Sequence, residues 1–283
     1  MDVQIEVAPK ALWNIPIPGT HYDFPFTNSL LMMFVVMALL IIGGALIARR
    51  STLIPSRLQS AAELVVEFLL GLVEGTAGKR MGRQIFPLIG GLFLFIIFAN
   101  YIELLPGLGT IGINQTEAGK TTIIPFLRPP SSDLNMTVAM ALISFFTFQY
   151  LGIKAHGVRG RLKHLANPVF LFPIEVVSEF ARIISLSFRL FGNIFAGDVL
   201  LTIMYAIGKA IAISVVGLLV PVVFLLLETL FGFIQALVFA LLTLIYIALA
   251  VADGHDEHAE HAGEPEMAEG HQSAHAVAAP GGD

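Results

Sequence analysis

The sequence contains no cysteine and has few charged residues. The absence of cysteine excludes disulfide frameworks, thiolate metal sites and cysteine nucleophiles. Only 13% of the 283 residues are charged whereas 56% are hydrophobic, a balance too apolar for an ordinary soluble domain. The first 28 residues also lack a basic start followed by an apolar run, so we expect no cleavable signal peptide. These features together predict a multi-spanning membrane protein.

The negative charge of the chain is concentrated at its C-terminus. The formal net charge is −5, but the tail from Asp253 to Asp283 alone holds eight acidic residues and no basic residue. Its His, Glu, Ala, Gly and Pro composition is typical of a disordered segment. His255, His258 and His261 are spaced by three, but low-complexity acidic tails usually serve as solvated ends. We therefore expect neither a metal site nor a cofactor.

Long apolar runs divide the rest of the chain. A hydrocarbon core of about 30 Å needs about 20 helical residues, and five runs reach that length. They cover residues 30–48, 85–105, 134–153, 168–207 and 210–252. The last two are about twice as long as a crossing requires, so each must tilt, bend or divide into two shorter segments. Length alone leaves these options open.

The segment Arg57–Arg80 has a different pattern from the five runs. Glu63, Glu67 and Glu74 fall on one side of a predicted helix, and apolar side chains populate the other. This pattern favours an amphipathic helix on the membrane surface. A second span would bury three carboxylates and invert the topology of everything after it.

Basic residues indicate the orientation of the chain. Ten of the 16 Lys and Arg residues lie in 49–84 and 154–167, whereas the loop between the second and third spans has only Lys120 and Arg128. Because basic loops tend to be cytoplasmic, five crossings place the N-terminus outside and the C-terminus inside. We expect three parts: an extracytoplasmic tail (1–28), a single transmembrane domain (29–252) and the disordered acidic, His-rich tail (253–283).

A polar stripe runs through the fourth long apolar run. Charged side chains at bilayer depth are costly, so they usually have a partner or a function. Seven polar residues share one face of the predicted helix: Glu175, Ser178, Glu179, Arg182, Ser185, Arg189 and Asn193. Asp198 lies nine residues beyond Arg189 and faces away from that stripe. In the last run, Glu228, Gln235 and Tyr246 also share a face.

Four segments carry a resemblance to a known family. They are ANYIELLPG (99–107), PPSSDLNMT (129–137), SLSFRLFGNIFAGD (185–198) and FIQALVF (233–239). Together they resemble subunit a of F-type ATP synthases, the stator protein that conducts ions past the rotating ring of c subunits. The resemblance covers roughly residues 25–252 and implies an all-α membrane protein with about five crossing helices and one surface helix. It also implies that the last two helices form a long, tilted hairpin.

The resemblance assigns the central role to Arg189. In the family, this arginine is the residue on which ion transport depends, and it meets a carboxylate on each c subunit. A guanidinium stays charged at working pH and cannot itself pass a proton, so it can separate two aqueous half-paths. Gln235 matches the family glutamine that approaches the arginine.

Acidic residues on either side of Arg189 are candidates for the two half-paths. We assign Glu175, with Glu179 nearby, to the cytoplasmic half-path, and Asp198 with Glu228 to the outer one. Two acids in one low-dielectric cavity would not both ionise easily, so one of them could hand a proton on. Which one does so is left open.

Two polar residues of the stripe have more than one interpretation. Arg182 could pair with Glu175 or Glu179 only to fix helix packing, or it could take part in transport. Asn193 could line the path or hydrogen-bond a neighbouring helix.

The resemblance also implies the partners: the c-ring, the peripheral-stalk b subunits and membrane lipids, with no nucleic acid. The chain would not be an enzyme by itself. Its place would be a plasma or inner membrane, and the transported ion H⁺ or Na⁺. A self-contained transporter is a competing hypothesis, but its usual internal repeat is not visible. A passive channel would need a selectivity ring or filter built by oligomerisation. An intramembrane hydrolase lacks a nucleophile with its base, since no histidine falls in a predicted span.

Overall fold

The computed structural model describes residues 9–16, 23–52, 55–105, 112–117, 120–165, 172–210 and 215–252. Within these ranges the chain forms six α-helices: α1 (Asn28–Arg49), α2 (Arg57–Ala77), α3 (Lys79–Glu103), α4 (Leu134–Leu165), α5 (Phe172–Ala210) and α6 (Val215–Ala252). Two short antiparallel hairpins accompany them: β1 (Ala11–Pro16) with β2 (Asp23–Thr27), and β3 (Gly112–Glu117) with β4 (Lys120–Pro125). A 3₁₀ turn, Pro130–Ser132, precedes α4.

Five of the described helices are long and apolar enough to cross a membrane. These spans are Asn28–Arg49, Lys79–Ile102, Leu134–Gly160, Phe172–Met204 and Pro221–Val251. The predicted number of crossing helices is thereby confirmed, and α2 is not among them. The fold class is an all-α membrane protein in which five candidate spans accompany one amphipathic helix.

A glycine sets the sharp change of direction between α2 and α3. Gly78 has a φ of 75°, a conformation that residues with a Cβ rarely adopt, and it both ends α2 and begins α3. The helices then run so close together that a Cβ on Gly82 would lie 3.1 Å from the Cα of Glu74. Arg83 Nε also donates to Glu74 Oε1 at 2.9 Å. The apolar side of α2, through the buried Leu69, packs into the main core.

The two longest helices form the centre of the bundle. α5 has 39 residues and α6 has 38, and they pack against each other and against α4. At 1.5 Å per residue each measures about 57 Å, well beyond a core of about 30 Å, so they cannot stand upright as simple crossings. Each is continuous over the described residues, as a long helical hairpin requires. Their shared core includes the fully buried Leu190, Phe239 and Leu244.

Small polar side chains join the helices that carry the charged residues. Such bonds hold membrane helices in register because an unpaired polar group in hydrocarbon is costly. Three of them are Ser144 Oγ to Thr243 Oγ1 (2.9 Å), Thr137 Oγ1 with Ser187 Oγ (3.2 Å), and Asn100 Nδ2 to the Gly232 carbonyl (3.3 Å). They link α4 to α6, α4 to α5 and α3 to α6, so the positions of α5 and α6 are fixed from several sides.

The two β-hairpins are an addition to the predicted architecture. The sequence predicts only an extracytoplasmic tail before α1, whereas in the structure β1 and β2 pair there. Trp13 and Phe26 lie 6.0 Å apart between ring centroids. Phe26 in turn stacks on Phe34 of α1 at 6.4 Å. These aromatic contacts form only when the chain folds back on itself, so no local sequence pattern predicted them. The C-terminal tail, with its histidines, lies outside the described residues, and its disorder stays a prediction.

Candidate functional site

Arg189 lies on the outside of the helix bundle. The buried side of α5 carries Leu186, Leu190 and Ile194, which are 3%, 0% and 1% exposed. Arg189 is exposed, and its Nη2 donates to Ser185 Oγ, one turn earlier, at 3.4 Å. The chain therefore presents a guanidinium on the surface of a candidate membrane span, where its charge requires a partner or water.

A polar cluster lies on the N-terminal side of Arg189. We call Glu175, Glu179, Arg182 and Gln149 the N-terminal cluster. Arg182 Nη2 lies 3.8 Å from Glu175 Oε1, and its guanidinium sits over the ring of Tyr246 at 5.3 Å from the centroid. Glu179 is buried and accepts a hydrogen bond from Gln149 Nε2 of α4. The cluster thus joins α4, α5 and α6. A packing role for Arg182 requires contacts of this kind, and a transport role is also compatible with them.

A second cluster lies on the C-terminal side of Arg189. We call Arg128, Asp198 and Glu228 the C-terminal cluster. Glu228 is 9% exposed, and its carboxylate lies so close to α5 that a Cβ on Gly197 would overlap it. Gly197 immediately precedes Asp198, so this contact brings Glu228 to the stretch of α5 that carries Asp198, and the buried turn that follows Arg128 also packs against α5. The two acids predicted to act together are therefore neighbours.

Arg128 is a member of this cluster that sequence analysis counted only as a loop residue. It is 6% exposed, and its Nε donates to Ser132 Oγ at 3.0 Å. Ser132 Oγ also lies 3.0 Å from the Pro129 carbonyl, and the buried 3₁₀ turn packs against α5. In the sequence, the signal for this residue is its position immediately before the PPSSD motif. If such a motif is buried, its arginine needs a carboxylate or several hydrogen-bond acceptors nearby.

The remaining predicted residues are Gln235 and Asn193. Gln235 is 5% exposed, and its Nε2 finds no hydrogen-bond acceptor within the described part of the chain. Asn193 is half-buried, one turn after Arg189. Neither side chain hydrogen-bonds Arg189 in the described residues, so their roles in ion translocation stay predictions. No cluster of potential metal ligands is found among the residues that the structure describes.

The charged groups follow a simple order along α5. Glu175 precedes Arg189 by 14 residues, about 21 Å of helix, and Asp198 follows it by nine residues, about 13 Å. Carboxyl groups can take up and release protons, whereas a guanidinium stays charged. The arrangement is therefore an exposed fixed cation between two sets of acids that can exchange protons.

Comparison with known proteins identifies the family of the chain. The family model described as ATP synthase A chain matches residues 30–248, which includes both clusters and Arg189. The chain belongs to this family. Members of the ATP synthase A chain family are the ion-translocating stator subunit of the synthase. The chain is accordingly a non-catalytic, multi-pass membrane subunit and part of a larger complex.

Relatives of the chain carry the same family description over most of their length. The ATP synthase subunit a of Moorella thermoacetica is 35% identical over 225 residues, covering 79% of this chain and 90% of the relative. That of Desulforamulus reducens is 32% identical over 256 residues, covering 87% and 90%. That of Helicobacter pylori strain Shi470 is 33% identical over 244 residues, covering 84% and 95%.

Proposed function

We propose that this chain provides two offset half-paths that carry H⁺, or Na⁺, to and from the carboxylates of a c-ring, with Arg189 as the barrier between them. The observation that carries the proposal is the position of Arg189. It is exposed in the chain alone, whereas Leu186 and Leu190 at neighbouring positions of α5 are buried in the core. An unpaired guanidinium at this position would be costly in a bilayer. The exposed side of α5 around Arg189 therefore fits a partner that supplies a carboxylate.

The two clusters supply the ends of the half-paths. The N-terminal cluster leads from the cytoplasmic side and the C-terminal cluster from the outer side. Because the arginine cannot release its proton, an ion cannot pass directly from one cluster to the other. It has to leave on the rotor and return after the ring has turned, which couples ion flow to rotation and thereby to ATP synthesis.

The proposed topology follows from the same assignment. Residues 1–28 lie outside the cytoplasm, 29–252 form a single transmembrane domain, and 253–283 form a cytoplasmic tail. Five crossings separate the ends, and the basic segments 49–84 and 154–167 face the cytoplasm. Besides the c-ring, the partners are the peripheral-stalk b subunits and the lipids of a plasma or inner membrane.

Disulfide cross-linking tests the proposal directly, because the chain has no cysteine of its own. Ser185→Cys places a thiol on the exposed face one turn before Arg189, whereas Ser187→Cys places one on the buried face. Each is combined with a cysteine on the c-subunit helix that bears the ring carboxylate, in the assembled synthase. A disulfide needs Cα atoms within about 7 Å.

We expect oxidation to give an a–c product with Ser185→Cys and none with Ser187→Cys. Equal cross-linking from both positions would contradict the proposal, as would an absence of product from Ser185→Cys in assembled complexes at every ring position tried. Both variants exchange a serine hydroxyl for a thiol, so differences in side-chain size do not explain the result.

A further inference from the structure

The C-terminal end of α6 is joined to α4 by a histidine. His156 Nε2 lies 3.1 Å from the carbonyl of Val251, and α6 ends one residue later at Ala252. A carbonyl oxygen only accepts hydrogen bonds, so Nε2 carries the hydrogen in this contact. The segment 253–283 therefore starts beside this end of α4, whichever side of the membrane the end occupies.

This end of α4 is strongly basic. The helix changes direction at Gly157, which has a φ of 72°, and the exposed Lys154 and Arg159 lie on either side of the bend. In the part of the chain that the structure describes, neither of these two side chains forms an ion pair. Two more bases follow in the same helix without an intervening acid. We call the four bases the basic segment: Lys154, Arg159, Arg161 and Lys163.

The chain beyond α6 carries the opposite charge. Its 31 residues include eight acids and neither lysine nor arginine. Four acids fall within its first eight residues, and we call them the proximal acids: Asp253, Asp256, Glu257 and Glu260. They are equal in number to the bases of the basic segment. The nine residues from Val251 to Glu260 can extend about 30 Å, whereas Lys163 is seven residues, or about 11 Å of helix, from His156.

We propose that the proximal acids bind the basic segment of the same chain and so hold the end of α6 against α4. Exposed ion pairs are weak singly, but attachment through Val251 keeps these acids at a high effective concentration beside the bases. Anionic lipid headgroups would compete for the basic segment and would repel an acidic tail. The tail has the advantage of being covalently attached next to its binding site.

The proposed contact lies close to the N-terminal cluster. Gln149 precedes His156 by seven residues, and Tyr246, whose ring lies under Arg182, precedes Val251 by five. A bound tail would therefore restrain α4 and α6 about one to two helical turns from the cluster. The inference goes beyond the proposed half-paths and does not depend on them.

Disulfide formation within the chain tests the contact in the assembled synthase. Val158→Cys places an exposed thiol within the basic segment, and Ala259→Cys places one among the proximal acids. A disulfide needs Cα atoms within about 7 Å, so its rate of formation reports how often the two segments meet. Diamide is the oxidant, since it brings no metal that the tail histidines could bind. The reaction is run at about pH 8, where histidines are neutral.

Two sets of four substitutions change the charge of the tail equally. One set neutralises the proximal acids: Asp253→Asn, Asp256→Asn, Glu257→Gln and Glu260→Gln. The other neutralises the remaining acids: Glu264→Gln, Glu266→Gln, Glu269→Gln and Asp283→Asn. We expect the first set to lower the rate of disulfide formation at least about fivefold, and the second set to lower it less than about twofold.

Thiol reactivity alone would have the opposite effect, because loss of nearby negative charge makes a thiolate easier to form. Equal rates in the two sets would show that the tail is a solvated end and would overturn the inference. An unchanged rate in the first set would do the same.

Substitutions on the helices test the other side of the contact. Lys154→Gln with Arg159→Gln should also lower the rate, whereas Lys79→Gln with Arg80→Gln should not. The second pair is also exposed, but it lies at the start of α3. An equal loss with both pairs would mean that the tail has no preferred site on α4, and the inference would be wrong.

Liposomes distinguish the tail from lipid headgroups as the partner of the basic segment. We expect the disulfide to form both in phosphatidylcholine alone and in a mixture with anionic phosphatidylglycerol. If phosphatidylglycerol abolishes it, the basic segment binds headgroups instead and the inference is overturned. None of these substitutions changes Arg189 or either cluster, so failure of this inference leaves the proposed function untouched.

Discussion

The carboxylate of Glu228 on α6 lies against the backbone of Gly197 on α5 and occupies the space that a Cβ on this glycine would take. Gly197 immediately precedes Asp198, so this contact places one acid beside the other. The glycine of the FAGD segment is thus explained by a neighbouring helix and not by backbone conformation. Ion transport through the C-terminal cluster depends, in our account, on this close approach.

The first prediction is that Gly197→Ala impairs proton uptake. The added Cβ would overlap the carboxylate, and because this carboxylate ends a flexible side chain, we expect it to move away from its position beside Gly197. We expect uptake by the reconstituted synthase to fall at least about tenfold. Gly91→Ala is the matched control, because nothing lies within 4 Å of the Cβ it would add. Wild-type uptake in Gly197→Ala would show that the contact is not needed.

The second prediction concerns the N-terminal cluster. Gln149→Leu removes the donor to the buried Glu179, which should cost about 1–3 kcal/mol and lower the temperature at which the purified complex dissociates. Thr147→Val on the same helix removes only a bond to the Ile143 carbonyl and should change little. The double variant Gln149→Leu/Glu179→Leu should cost less than the sum of its single variants. Strict additivity would indicate that the two side chains are not coupled.

The third prediction concerns topology, and the cysteine-free sequence makes it easy to test. Asp23→Cys and Ser51→Cys place single exposed thiols just before and just after α1. A membrane-impermeant maleimide added to intact cells should label Asp23→Cys and leave Ser51→Cys unlabelled until the membrane is opened. The reverse pattern would invert the proposed orientation.

Patterns in the sequence were sufficient to predict the membrane spans. The five crossing helices follow from uncharged length, which is a local property of the chain. The role proposed for Arg189 depends on the motif around it, since an arginine at helical spacing fits a packing role equally well. Its exposure on α5 is new information from the structure.

The side-chain contacts of the charged residues could not be predicted from the sequence. Glu175 and Glu179 lie seven and three residues before Arg182, and both spacings permit a contact along one helix. The structure shows Arg182 beside Glu175 and Gln149 bound to Glu179, because α4 packs against α5 at that point. The burial of Arg128 has a similar cause: the turn that follows it packs against α5, which lies in a distant part of the chain.

The most direct test of the central claim is the rate of ATP synthesis by complexes that carry Arg189→Ala. The complexes are first shown to contain the c-ring and the stalk, so that loss of assembly is separated from loss of function. Ser185→Ala is the control, because it removes only the 3.4 Å hydrogen bond to the guanidinium. We predict that Arg189→Ala abolishes ion-driven synthesis in assembled complexes whereas Ser185→Ala retains it. Synthesis at the wild-type rate without the guanidinium, or complexes that fail to assemble without it, would contradict its role as the barrier.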